Sequence, residues 1–210
     1  MIKNIIFDWS GTLIDNWRVS YEAAMTVLTV NHVKKLTRKQ FRTEWRQPYM
    51  IFYRRFIPSL KFASEKKIYH AAHRQASIKL QSKPPVGMAA ILKEFKKARL
   101  KLFVVSSDCK QQVFTELKKF NFDQLFLEVL SDVHDKKVTV EKIIKKFKFK
   151  PQETLFVGDT NHEIEVAKKL KIKAGAVTWG INTEEVLKKY RPDYIFHNIK
   201  EMRKIILNIK

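Results

Sequence analysis

Four short segments hold the residues of this chain that could do chemistry: DWSGT at 8–12, VVSSD at 104–108, HDKKV at 134–138 and VGDTNHE at 157–163. Each follows or borders an apolar run of strand length. In NIIFDWSGTLID a single carboxylate, Asp8, closes such a run, and the chain then turns through Ser10, Gly11 and Thr12. Acids, hydroxyls and a lysine pair gathered in turns suit an anionic group and a metal held side by side. Taken alone, Asp8 would be an N-cap or turn residue and Asp159 a helix cap. Four such segments at strand ends point instead to one shared site.

Positioning them requires strands that end together. Apolar runs at Ile2–Phe7, Leu100–Val105, Leu125–Leu130, Thr154–Val157, Ala174–Thr178 and Tyr194–Phe196 read as strands. Helix-period segments lie between and after them: Met88–Ala98, Lys110–Phe120, Val138–Phe147, Glu163–Leu170, Thr183–Lys189 and Ile199–Asn208. Alternating strand and helix implies an α/β fold, a Rossmann-like doubly wound parallel sheet, with its site beyond the carboxyl ends of the strands. The alternation is interrupted once. Residues 16–82 carry four helical patterns, broken at Pro48 and Pro58, and no strand. The chain therefore divides into a core of 1–15 and 83–210 and an all-helical cap of 16–82, inserted after the first strand and standing over Asp8. Phe41, Trp45, Tyr49, Phe52, Tyr53 and Phe56 recur at helical spacing and read as the cap's own core.

Composition narrows the function classes. With 210 residues and 45% hydrophobic content the chain can bury one substantial core and a small second one. No apolar run reaches the ~18 residues of a membrane span, and no secretory signal pattern opens the sequence. The single cysteine, Cys109, forms no internal disulfide and reads as a buried packing residue; a reducing compartment, the cytoplasm, is expected. Lys and Arg number 42 against 21 acids, a net charge of +21. Between Lys34 and Lys83, 14 basic residues face two acids. Such a field draws anions, but no nucleic-acid-binding motif accompanies it, so nucleic acid is the less favoured partner than a small phosphorylated metabolite.

The order of these segments, with a helical insert after the first, resembles the haloacid dehalogenase superfamily of aspartate-nucleophile hydrolases, in particular its phosphoglycolate-phosphatase-like branch. The resemblance covers nearly the whole chain. It implies that Asp8 attacks phosphorus to form an aspartyl phosphate. It further implies that Asp8, Asp159 and the backbone carbonyl of Ser10 hold Mg2+, with Glu163 one helical turn on as a direct or water-mediated ligand. Gly11 allows the tight turn, and Thr12 helps position the phosphate. Ser106 donates to the phosphoryl oxygens, with Ser107 its rival. A lysine of DKK neutralises charge; family spacing points to Lys136, a shorter helix to Lys137. Arg54 and Arg55 are the cap's candidates for gripping a second anionic group.

One position departs from the pattern. Phosphatases of this kind carry a second aspartate two residues after the nucleophile, which protonates the leaving group and activates water. Here Ser10 stands there, and a lone serine is no acid or base near neutrality. Losing such help costs ~10²–10⁴ in rate, so slow turnover of ordinary monoesters is expected. Alternatives are a phosphonatase-like C–P hydrolase, whose DWAGT motif is similar and which needs a Schiff-base lysine in the cap, or a weakened member that binds phospho-ligands or nucleic acid.

Overall fold

The computed structural model describes residues 1–208. Six strands, β1 (Asn4–Phe7), β2 (Lys101–Val105), β3 (Glu128–Leu130), β4 (Thr154–Gly158), β5 (Lys173–Val177) and β6 (Tyr194–Phe196), form one sheet in the order β3-β2-β1-β4-β5-β6. Every neighbouring pair is parallel. β1 is central, with Phe7 opposite Val104 on one side and Val157 on the other. Strand order reverses at β1, so a crevice opens beside its carboxyl end, where the chain turns at Asp8.

Between β1 and the rest of the sheet the chain builds α1 (Trp17–Val30), α2 (Arg38–Glu44), α3 (Tyr49–Arg54) and α4 (Phe62–Leu80). Thr37 starts α2 with a reciprocal capping box to Gln40. α1 and α4 pack on each other, and Phe41, Trp45, Phe52 and Tyr53 form a buried aromatic cluster with Tyr49 and Phe56 at its margin. This aromatic cluster also takes in Ile181, from outside the helical insert.

The remaining helices are α5 (Met88–Lys97), α6 (Lys110–Lys119), α7 (Lys136–Lys146), α8 (Asn161–Lys169), α9 (Glu184–Lys189) and α10 (Ile199–Asn208). Strand alternation divides the apolar side chains between two faces. Ile5, Phe7 and Val104 pack with Leu92, Phe95 and Met202 of α5 and α10. Ile6, Phe103 and Phe156 pack with Val140, Ile143, Ile164 and Ala167 of α7 and α8. The sheet is thus covered on both sides, the condition for an all-parallel sheet.

Of the boundaries that differ from expectation, three have a clear local reason. β3 begins at Glu128, because Leu125 is held in a turn by its amide bond to the Phe122 carbonyl and reaches the core from there. α7 starts at Lys136, two residues early, because the Asp135 carboxylate accepts from the Val138 amide at 3.0 Å. α8 starts at Asn161 because Thr160 and Glu163 form a capping box. Cys109, expected inside, is exposed and precedes α6. Among the described residues no helix is long and apolar enough to cross a membrane.

Glu65, in the first turn of α4, is buried. Burial pushes its carboxyl from 4.5 up to about 7, opposed by the neighbouring Tyr53 hydroxyl. The folded chain then holds a proton that the unfolded chain has released, so stability is full below the unfolded value and is lost as pH rises through the folded one. The thermal midpoint of the wild type should therefore fall more steeply than that of Glu65→Gln between pH 5 and 7, by up to one proton's ~1.4 kcal/mol per pH unit. Parallel profiles for the two proteins would contradict this account of the α4 turn.

Candidate active site

The site starts where β1 stops. The Asp8 amide still donates to the Val157 carbonyl at 2.9 Å, which carries the β1–β4 ladder one residue beyond the strand. The chain then reverses: Leu13 donates to the Trp9 carbonyl and Gly11 to the Ile14 carbonyl. Gly11 has φ +77°, the left-handed region that glycine enters without steric cost. Asn16 fixes this turn from behind, accepting from the Gly11 amide at 2.9 Å and donating through Nδ2 to Ser10 Oγ at 2.8 Å. Trp9 is fully buried against Phe122 and donates through Nε1 to Glu116 at 2.7 Å.

Asp8 is 6% exposed. The Lys136 ammonium donates to its Oδ1 at 2.7 Å and to Glu163 Oε1 at 2.7 Å. The other Glu163 oxygen accepts from the Thr160 hydroxyl at 2.7 Å. Burial pushes Asp8 up to about 7, with Lys136 pulling it down and Glu163 pushing it further up. Burial also acts to raise Glu163, but Lys136, His162 and the Thr160 hydroxyl together outweigh it and hold this carboxyl at about 2. Burial would discharge the lysine; the two carboxylates instead keep it firmly an ammonium.

Asp159 completes the cluster. Its Oδ2 accepts from the Ile181 amide at 2.7 Å, while Thr160, not Asp159, caps α8. Burial and the charges of Asp8 and Glu163 push its carboxyl well above the ordinary range. Gly11 and Gly180 leave the space it occupies: a Cβ at either position would lie 2.0–2.2 Å from Asp159 atoms. Asp8, Asp159 and Glu163 each offer one oxygen, all within 4.8 Å of one another. Three buried carboxylates against one ammonium leave excess negative charge among oxygen donors. That combination fits a hard divalent cation.

Other residues named from the sequence fall into two groups. Thr12 is fully buried beside the turn, and its Oγ1 has no hydrogen-bond partner among the described residues. Ser106 is buried at the end of β2, but its hydroxyl donates to Asp108 Oδ2 at 2.9 Å. Lys137, Ser107, Arg54 and Arg55 are all exposed. Helical geometry turns Lys137 away from the face that carries Lys136, and Arg55 pairs with Glu44 instead. The structure does not bring these four into the cluster.

Several contributors carry no recognisable signal in the sequence. Arg42 stacks on Trp17 at 5.0 Å and donates to the carbonyls of Thr178 and Ile181, each at 3.0 Å. Asn182 donates to the carbonyls of Arg42 and Trp45. The loop 178–182 therefore seats the helical unit and supplies the amide that holds Asp159. Asn16 and Asp108 belong with them, since a lone amide or acid in a loop has no recognisable spacing.

Replacing Lys136 by Met should expose the cost of burying the carboxylates without their cation. Breaking a buried pair costs about 3–5 kcal/mol, so the denaturation midpoint of Lys136→Met should drop sharply in metal-free buffer, whereas Lys137→Met should stay near the wild type. Equal effects at the two positions would refute the placement of the lysine.

Comparison with known proteins identifies the family. The sequence model of the haloacid dehalogenase-like hydrolases matches residues 5–177. Pyrophosphatase PpaX of Halalkalibacterium halodurans is 24% identical over 213 residues, covering 98% of this chain and 97% of that protein. Pyrophosphatase PpaX of Bacillus mycoides is 31% identical over 123 residues, 56% of this chain and 57% of that one. The structure of a haloacid dehalogenase-like hydrolase from Streptococcus pneumoniae superposes with a TM-score of 0.80 at 19% identity, covering 98% of both chains. A match spanning all but the first four residues and the C-terminal segment that carries α9, β6 and α10 makes this chain a member of the haloacid dehalogenase-like hydrolase family.

Proposed function

We propose that the protein is a Mg2+-dependent phosphatase that hydrolyses a small phosphorylated metabolite through an aspartyl phosphate on Asp8. The observation that carries this reading is the Asp8 carboxylate at the β1 terminus, bonded to a buried ammonium and within one ion's reach of Asp159. In this reading Asp8, Asp159, the Ser10 carbonyl and Glu163 hold Mg2+, whose charge screens the carboxylate from the incoming dianion. The chain's own groups then act on the substrate. Asp8 supplies the attacking oxygen. Lys136 neutralises charge beside it. The free Thr12 hydroxyl and the Gly11 turn address the phosphoryl oxygens, and Ser106 stands at the same strand rim. Residues 16–82 act as a cap domain whose inner surface selects the substrate.

The PpaX relatives make inorganic pyrophosphate a candidate substrate beside phosphomonoesters. The phosphonatase alternative loses support, because a Schiff-base lysine needs a desolvated pocket. Every lysine between 34 and 83 is exposed. Nucleic acid remains the less favoured partner, and a thiol-bearing chain with no disulfide suits the cytoplasm.

A panel of pyrophosphate, phosphoglycolate and p-nitrophenyl phosphate, assayed with Mg2+ and with a chelator, tests the reading. Activity should vanish on chelation, return with Mg2+, and fall by at least ~10³ in Asp8→Asn, since a nucleophile has no substitute. Undiminished activity in Asp8→Asn would refute it.

A further inference from the structure

Displacement at phosphorus by Asp8 leaves a proton to be accounted for twice. An alkoxide leaving group needs one, and the water that later attacks the aspartyl phosphate must lose one. Asp8 is the phosphoryl carrier in that step. Lys136 is fixed as an ammonium between two carboxylates and has no lone pair to accept with. Asp159 is tied to the Ile181 amide, and Glu163 to Lys136 and Thr160.

A different acid stands beside the turn. Ser10 Oγ donates to Asp108 Oδ2 at 2.6 Å while accepting from Asn16 Nδ2 at 2.8 Å. Ser106 Oγ donates to the same Asp108 oxygen at 2.9 Å, and the Asp108 amide donates back to Ser106 Oγ at 3.0 Å. The carboxylate of a strand-end loop is thus clamped by two hydroxyls, one of them two residues from the nucleophile. No helix needs this carboxylate as a cap: α6 begins after Cys109 without a side-chain cap bond. A serine oxygen has two lone pairs and one proton. Asn16 takes one lone pair and Asp108 the proton, so one lone pair of Ser10 is left free.

We propose that Ser10 and Asp108 together form the proton relay of this enzyme, with Ser10 the group that touches water and leaving group and Asp108 the partner that acts through it. The inference rests on the aspartyl-phosphate reading of the site. In hydrolysis, the water oxygen bonds to phosphorus and the bond from phosphorus to Asp8 breaks, its electron pair returning to the Asp8 carboxylate. The water proton passes to Ser10 Oγ as the Ser10 proton passes to Asp108 Oδ2. In the next cycle that proton returns through Ser10 to the departing oxygen of the substrate, so one turnover restores every group. Asn16 holds the serine oriented throughout.

The test uses p-nitrophenyl phosphate with Mg2+, whose leaving group needs no proton and which therefore isolates the water step. In Asp108→Asn and in Ser10→Ala, kcat should fall by about 10²-fold. KM should fall with it, leaving kcat/KM within about threefold of the wild type, because only the second half-reaction is slowed. A burst of nitrophenolate close to one equivalent per site should precede the slow phase. Ser10→Asp in the Asp108→Asn background should recover at least about tenfold in kcat, since a carboxylate at position 10 reaches the water directly. A merely structural Asp108 would lower kcat/KM and abolish the burst; either outcome overturns the relay. Should Asp108→Asn fail to fold, Ser10→Ala keeps the carboxylate in place and decides alone. Inactive Asp8→Asn beside unchanged Ser10→Ala and Asp108→Asn removes the relay and leaves the nucleophile standing. Active Asp8→Asn removes both.

Discussion

The ammonium of Lys136 between Asp8 and Glu163 is the contact on which the rest of the molecule depends. Three carboxylates lie buried within one ion's reach of one another, and a protein interior tolerates such charges only when they are paired. One lysine answers part of that demand. The remainder suits a divalent cation, which under the proposed function would let a phosphate dianion approach the Asp8 carboxylate.

The fold exists around this cluster in a specific sense. β1 and β4 deliver Asp8 and Asp159 from adjacent strand ends. β2 delivers the hydroxyl–carboxylate group of Ser106 and Asp108, and the start of α7 delivers Lys136. No two of these segments are close in sequence, so the site cannot form before the sheet does. Clearance is as necessary as delivery. Asp159 fits only because Gly11 and Gly180 lack a Cβ, and the loop 178–182 that provides Gly180 also carries the cap through Arg42 and Asn182. One loop thus joins the helical segment to the amide that holds Asp159.

Much of this was legible from the residues alone, for physical reasons. Six apolar runs alternating with helix-period segments point to a parallel sheet, though not to its strand order, and acids or hydroxyls directly after strands gather on one rim of such a sheet. The ambiguity between Lys136 and Lys137 was real in the sequence, because it turns on whether Asp135 or a later residue caps the helix; the Asp135 carboxylate decides it. The cap was legible as a helical unit through its aromatic spacing, yet not in detail. Arg54 and Arg55 looked like the anion-gripping pair, whereas the arginine that docks on the core is Arg42, whose partners are backbone carbonyls that no pattern announces. Ser10 without a partner was likewise a correct statement about neighbours along the chain and a misleading one about neighbours in space. Its partner lies 98 residues away.

The proposed aspartyl phosphate is one covalent bond, and chemical trapping reads it most directly. Acyl phosphates are reduced by borohydride to the alcohol, so quenching the Mg2+-loaded enzyme during turnover with borohydride should convert the phosphorylated aspartate to homoserine. Peptide mass spectrometry is expected to find homoserine at position 8 and nowhere else. Homoserine at position 159 or 108, or a fully turning-over enzyme that yields none, would contradict the account.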